Sequence, residues 1–177
     1  MGFNYNILGM KKIMKLLYLV RHAKSSWDES YISDHDRKLN ARGEKDAPKM
    51  GDIFNSNGYH PDILYSSSAK RAHLTAKIIA KKLEYPVENI VVTNRIYEAA
   101  TNDLINILSE IDDKFESLML FGHNPSLTVL SNLLTNKYID NLPTCAAAVI
   151  ELNIDSWKEI ESDCGKLIAF EYPKKYK

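Results

Sequence analysis

Three short apolar runs in this chain are each followed, at once or within a few residues, by arginine or histidine. They are residues 16–20 before Arg21 and His22, residues 63–65 before Arg71, and residues 118–121 before His123. Apolar runs of this length that contain β-branched or aromatic residues are typical of buried strands. Because open α/β sheets bind ligands beyond the carboxyl ends of their strands, we expect these four basic side chains to form one anion-binding site.

Helices are predicted between these strands. Asn40 is placed to cap a helix over residues 41–54, and an apolar stripe at helical spacing predicts a second helix that starts near Ser67 or Ser68. Further elements are predicted as helices over residues 102–111 and from Pro125, and as strands over residues 62–66, 90–93, 117–121, 146–152 and 166–172. This alternation predicts an α/β three-layer sandwich, with a mostly parallel central sheet and helices on both faces. The last two strands are too close for a crossover helix, so one antiparallel strand is expected.

The length of 177 residues suits one domain, which we predict over residues 14–177. Residues 1–13 are predicted to be an N-terminal extension, either disordered or the product of an early start codon, since Met10 and Met14 lie close to the first strand. This segment lacks the apolar core and cleavage site of a secretory signal. No apolar run reaches the roughly 20 residues of a membrane-spanning helix, so no membrane association is predicted.

Charge and cysteine content narrow the partners and the compartment. The formal net charge is +0, so no global field favours nucleic acid, and the anion site must be a local concentration of basic groups. Cys145 and Cys164 form neither a CxxC pair nor a zinc spacing, which favours a reducing, cytoplasmic setting. Because the histidines lack carboxylate or thiolate companions at ligand spacing, we predict no metal and no other cofactor.

The types of residue at this predicted site suit phosphoryl chemistry. Arg21 and Arg71 can offer bidentate donors to phosphate oxygens, and His123 can add another donor. His22 can then attack phosphorus through a ring nitrogen, provided that it is neutral. Neighbouring cations are expected to lower its pKa, and a backbone carbonyl bound to the other ring nitrogen would fix the reactive tautomer.

The ordered motifs of the chain resemble those of the histidine phosphatase superfamily. Arg21-His22-Ala23 is similar to the family's Arg-His-Gly motif, and residues 67–76 are similar to its Ser-Pro-x-x-Arg-Ala-x-x-Thr-Ala motif. Residues 37–43 resemble the stretch that opens the first helix, and Gly122-His123 resembles the family's Gly-His motif. The resemblance extends from Lys15 to about residue 172. It implies the phosphoglycerate mutase-like fold.

By this resemblance His22 is the phosphorylated nucleophile, and Arg21, Arg71 and His123 are the catalytic groups that bind the phosphate. Glu98 is at the position of the acid that protonates the leaving group, and the family's chemistry needs no metal. Ala23 replaces a glycine and is expected to add a methyl group close to the pocket. The chain lacks long capping insertions, so it looks most like the compact SixA-type branch, whose substrate is phosphohistidine in proteins.

Several interpretations stay open at this stage. The alternative functions are a small-metabolite phosphomonoesterase or mutase of the same superfamily, and a non-catalytic module that binds phosphoproteins. Ser25 is a candidate substrate contact, with ordinary loop polarity as its alternative. Glu98 can equally be a solvated loop carboxylate. The remaining histidines are taken as structural or surface residues (His35, His60 and His73), and the oligomeric state is not predicted.

Overall fold

A computed structural model describes residues 14–27 and 31–176, and the predicted N-terminal extension, residues 1–13, lies outside them. Its centre is a six-stranded sheet in the order β3-β2-β4-β1-β5-β6. The strands are β1 Lys15–Arg21, β2 Ile63–Ser67, β3 Val91–Thr93, β4 Ser117–Gly122, β5 Ala147–Leu152 and β6 Gly165–Glu171. β1 is therefore an inner strand, so the residues that follow it are held near the middle of the sheet.

The sheet is parallel except for β5. β1, β2, β3 and β4 pair in parallel, with Arg21 opposite Gly122 at the ends of β1 and β4. β5 runs antiparallel to β1, and β6 runs antiparallel to β5, so β6 points the same way as β1. The prediction of one antiparallel strand in a mostly parallel sheet is confirmed.

Four α-helices cover the two faces of the sheet within the described residues. They are α1 Ala41–Ser56, α2 Lys70–Lys82, α3 Thr101–Ser109 and α4 Ser126–Thr135. Successive residues of β1 point to opposite faces. Leu17 and Leu19 pack in the core cluster that contains α3 and α4, whereas Tyr18 and Val20 pack in the cluster that contains α1 and α2. The predicted three-layer sandwich is confirmed.

The start of α1 holds the loop that follows His22 in place. The Asn40 side chain accepts a hydrogen bond from the Gly43 N–H at 2.9 Å, which confirms the predicted cap. A Cβ atom on Gly43 would lie 2.1 Å from the carbonyl oxygen of Lys24, so only glycine allows this close approach. The Asn40 N–H also donates to that oxygen, at 3.0 Å. The loop after His22 is therefore tied to the start of a helix.

The predicted start of the second helix is wrong. Ser67 is the last residue of β2, and α2 begins at Lys70 with Ala69 before it. The Ser67 hydroxyl accepts the Ala69 N–H at 3.2 Å, so this serine shapes the turn between strand and helix. No helix among residues 14–27 and 31–176 is long and apolar enough to cross a membrane.

Candidate active site

His22 lies at the carboxyl end of β1, next to the end of β4. Its N–H donates to the Gly122 carbonyl at 3.1 Å, and the residue is only 8% exposed. The ring Nδ1 lies 2.7 Å from the Ala23 carbonyl oxygen. Since a carbonyl can only accept, Nδ1 carries the proton and Nε2 keeps its lone pair. The predicted carbonyl contact is thus present, and it leaves Nε2 as the nucleophilic atom.

Burial keeps the imidazole of His22 neutral. It lowers the pKa of His22 to about 3, against the opposing effect of the hydrogen bond to Ala23, and the nearby His123, Arg71 and Arg21 lower it further. The sequence predicts this lowering from neighbouring cations alone. The larger cause is desolvation, because the imidazolium would lose water without gaining a carboxylate partner.

His123 follows β4 and faces His22, with 5.1 Å between the ring centroids. Its Nε2 lies 2.8 Å from the Ser67 hydroxyl. That hydroxyl accepts the Ala69 N–H and still has its own hydrogen to donate to Nε2, and in the tautomer that receives it Nδ1 of His123 carries the ring proton. Nδ1 is buried and has no hydrogen-bond partner among the described residues. Burial, reinforced by Arg71, lowers the pKa of His123 to about 4, so this imidazole is neutral.

Arg21 is a half-buried cation with spare hydrogen-bond donors. One terminal nitrogen donates to the Leu142 carbonyl at 2.7 Å, whereas Nε is buried and lacks a partner within the described part of the chain. No described carboxylate lies within ion-pair distance of it, and burial lowers its pKa. A half-buried guanidinium with a buried, unpartnered Nε and no counter-ion is costly, so this arrangement suits a group that binds an anion.

Arg71, in the first turn of α2, is held by a residue that the sequence did not single out. Its terminal nitrogens donate to the Asp34 backbone carbonyl at 2.5 Å and to Asp34 Oδ2 at 2.9 Å. Oδ2 also accepts from the Tyr97 hydroxyl at 3.1 Å, and Oδ1 accepts from Arg37 at 2.8 Å. Although burial opposes it, hydrogen bonding to Arg37 and Arg71 holds the pKa of Asp34 at about 2. Asp34 is therefore a fixed negative charge beside the basic cluster.

Ser25 and Glu98 occupy different places around this cluster. Ser25 is 4% exposed, and its hydroxyl accepts a hydrogen bond from Arg37 at 2.7 Å. Glu98 is exposed and has a left-handed backbone with φ of 54°, which is unusual for a residue with a side chain. Substrate contact by Ser25 and proton donation by Glu98 stay predictions.

Ala23 follows His22 directly, and its side chain lies in the core. The residue is fully buried and packs in the core cluster of α1 and α2, and its N–H donates to the Thr75 hydroxyl at 3.0 Å. Its methyl group therefore packs in the core next to the site. His35, taken from the sequence as structural or surface, lies near the site: its Nε2 is 2.9 Å from the Ser68 hydroxyl, and its ring contacts Tyr97 edge-on.

No group of three or more His, Cys, Asp or Glu residues in the described ranges is arranged to hold a metal ion. Both cysteines are free thiols, and Cys145 is buried. Cofactor independence and the cytoplasmic setting stay predictions.

The fold and this cluster define an α/β protein with an anion-binding site at the carboxyl ends of parallel strands. The histidine phosphatase superfamily (branch 1) matches residues 17–124 of the chain. The chain belongs to this superfamily, whose members are phosphatases and mutases.

Relatives of known sequence or structure agree with this assignment. An uncharacterized chloroplastic protein of Arabidopsis thaliana is 34% identical over 83% of this chain and 71% of the relative. The putative phosphohistidine phosphatase SixA from Agrobacterium tumefaciens is 25% identical, with a TM-score of 0.78 over 90% of this chain and 98% of that structure. The protein histidine phosphatase SixA complexed with tungstate has a TM-score of 0.79 at 18% identity, over 92% and 99% of the two chains. The chain is thus of SixA type within the superfamily.

The two neutral histidines make stability depend on pH. Their folded pKa values, about 3 and about 4, lie below the value of 6.5 of an unperturbed histidine. Stability from this source is complete above pH 6.5 and is lost as pH falls, because the unfolded chain takes up protons first. Between pH 7.5 and pH 5.0 we expect the free energy of unfolding to drop by about 3–4 kcal/mol, measured by urea denaturation. Replacing both histidines by asparagine should flatten this dependence, whereas replacing the exposed His60 should not. If the free energy of unfolding of the double variant fell as steeply with pH as that of the wild-type protein, this pH dependence would not come from His22 and His123.

Proposed function

We propose that this protein is a metal-independent phosphatase that removes the phosphoryl group from phosphohistidine in proteins, through a phosphorylated His22. The observation that carries the proposal is the Nδ1 contact of His22 with the Ala23 carbonyl, at 2.7 Å. It leaves a neutral Nε2 lone pair in a buried position beside two arginines and a second histidine. Such an atom can attack phosphorus without first losing a proton.

The bound phosphoryl group would be held by groups with unused donors. Nε of Arg21 and Nδ1 of His123 are buried without partners among the described residues, and phosphoryl oxygens would satisfy both. Arg71 can add charge through N–H groups that Asp34 does not occupy. These donors stabilise the negative charge that is redistributed over the oxygens during transfer.

The proposed reaction has two steps. In the first, Nε2 of His22 attacks phosphorus, and the bond to the leaving nitrogen breaks with its electron pair on that nitrogen. If the leaving imidazole is protonated at its other nitrogen, it departs neutral and needs no further acid. In the second step water attacks phospho-His22, both water hydrogens leave with inorganic phosphate, and the imidazole returns to its neutral form with Nδ1 still bound to Ala23.

Exposed side chains around the site favour a substrate whose phosphoryl group is carried by a protein. Glu98 and Lys24 are exposed, and the Asp34 side chain next to Arg71 is 46% exposed. A phosphorylated side chain of a folded partner could therefore approach His22 past these exposed residues. Proton donation by Glu98 would matter for alkyl esters, whose alkoxide must be protonated as it leaves.

The test is phosphate release, with EDTA present, from a histidine-phosphorylated protein and from small sugar phosphates. We expect rapid release from the phosphohistidine protein and little from the sugar phosphates. Rapid release from the sugar phosphates alone would favour the metabolite phosphatase or mutase. Binding of the phosphoprotein without release would favour the non-catalytic module, and loss of activity with EDTA would contradict metal independence.

A further inference from the structure

Asp34 has no role in the phosphoryl transfer proposed above, yet its carboxylate contacts Arg71 in the anion-binding site. It is the first residue of a single 3-10 turn, Asp34–Asp36, in the loop between β1 and α1. Its carboxylate receives hydrogen bonds from Arg71, Arg37 and Tyr97, at 2.9, 2.8 and 3.1 Å. These donors come from separate parts of the chain and fix where the charge lies.

The negative charge of Asp34 acts electrostatically on any anion that Arg71 binds. The Arg71 residue is 7% exposed, and its guanidinium contacts both the carboxylate and the backbone carbonyl of Asp34. A phosphoryl group on the remaining N–H groups of Arg71 is therefore only the width of a guanidinium from a carboxylate. Like charges at that separation repel, so the arrangement disfavours substrates that are anionic on the leaving-group side.

The same carboxylate favours a leaving group that is positively charged. The Asp34 side chain is 46% exposed, so it stays accessible to the part of a substrate that extends into solvent from a phosphoryl group bound at Arg71. Phosphohistidine protonated on its second ring nitrogen places an imidazolium there. Because the P–N bond breaks easily only from this protonated form, a nearby carboxylate raises the bound fraction that can react.

We propose that Asp34 determines leaving-group specificity, selecting phosphoryl groups carried on a protonated nitrogen over phosphate monoesters with neutral or anionic leaving groups. This inference rests on the proposed phosphatase function and gives the carboxylate network a role in it. Asp34 is a specificity-determining residue that also positions Arg71.

The experiment compares kcat/KM for a phosphohistidine peptide and for p-nitrophenyl phosphate, in the wild-type protein and in Asp34→Asn. We expect the variant to lose activity on both substrates, because Arg71 is less well positioned, but to lose at least tenfold more on the phosphohistidine peptide, so the ratio of the two kcat/KM values falls at least tenfold. Asp34→Glu keeps the charge and should keep the wild-type ratio. Asp34→Ser is a second neutral variant, which avoids placing an amide NH₂ group against two guanidinium groups.

A matched control is Asp52→Asn, which removes a carboxylate from an exposed pair with Lys82 at the end of α2 far from Arg71. It should leave both rates unchanged. An equal loss on both substrates in Asp34→Asn would overturn the inference, because Asp34 would then only position Arg71. If the wild-type protein releases phosphate from neither substrate, the proposed function fails and the inference with it.

Discussion

Replacing His22 by alanine is expected to reduce phosphate release from a histidine-phosphorylated protein by at least about 1,000-fold. The variant keeps Arg21, Arg71 and His123, so it should still bind phosphate, but it lacks the Nε2 lone pair that forms the covalent intermediate. Steady-state phosphate release measures the rate. Quenching the wild-type reaction in alkali, where phosphohistidine survives, should show one added phosphoryl group by intact mass, and the variant should show none.

The control for this prediction is His60→Ala, which changes an exposed histidine outside the site and should leave turnover unchanged. Thermal unfolding of both variants separates a chemical effect from loss of the fold. Retention of more than a tenth of the wild-type rate by a folded His22→Ala protein would contradict covalent catalysis by His22.

The sequence predicted the layers of the fold because those depend on local patterns. The apolar run of β1 ends at Arg21, where the strand itself ends, and the cap of α1 at Asn40 is the predicted one. The same patterns locate the basic residues, since each follows a strand and the ends of parallel strands meet at one edge. The start of α2 was wrong because serines next to a helix can cap it or, as Ser67 does, end the strand before it.

Asp34, the acidic residue beside the basic cluster, could not be predicted from the sequence. Asp34 meets Arg71 and Tyr97 across long stretches of chain, and it lies in a loop whose Ser and Asp content indicates only a turn. No periodicity marks such a residue. The signal that could have found it is charge balance: a buried Arg71 requires a partner, and the loop after His22, which leaves the same edge of the sheet, contains aspartates.

The position of the Ala23 methyl group is a second feature that the sequence could not predict. Sequence comparison identifies the replacement of glycine but not the direction of the new Cβ atom, which depends on the backbone after His22. The structure places Ala23 in the core cluster of α1 and α2. The same backbone turn brings the Ala23 carbonyl to Nδ1 of His22, so the residue acts on the nucleophile through its main chain.

Replacing Arg21 by methionine is expected to lower kcat/KM by about 100- to 1,000-fold while raising the free energy of unfolding by about 1–2 kcal/mol. Activity falls because a donor to the developing charge on phosphate is lost. Stability rises because the native guanidinium is half-buried with one carbonyl partner, a buried and unpartnered Nε and no described counter-ion, whereas methionine fills similar space without that desolvation cost. Enzyme kinetics and urea denaturation measure the two effects.

Because activity is expected to fall while stability rises, the Arg21→Met variant distinguishes a binding role of Arg21 from a structural one. A residue kept for the fold would lose stability and activity together, as its replacement disturbed the end of β1. Arg42→Met, which removes an exposed arginine that pairs with the largely buried Asp46 on α1, is the control and should leave kcat/KM unchanged. If Arg21→Met is destabilised and inorganic phosphate inhibits it as strongly as the wild-type protein, then Arg21 holds the strand end and not the phosphate. If phosphate inhibition weakens less than kcat falls, the guanidinium acts mainly on the transition state, because it then binds the transferring group more tightly than the product.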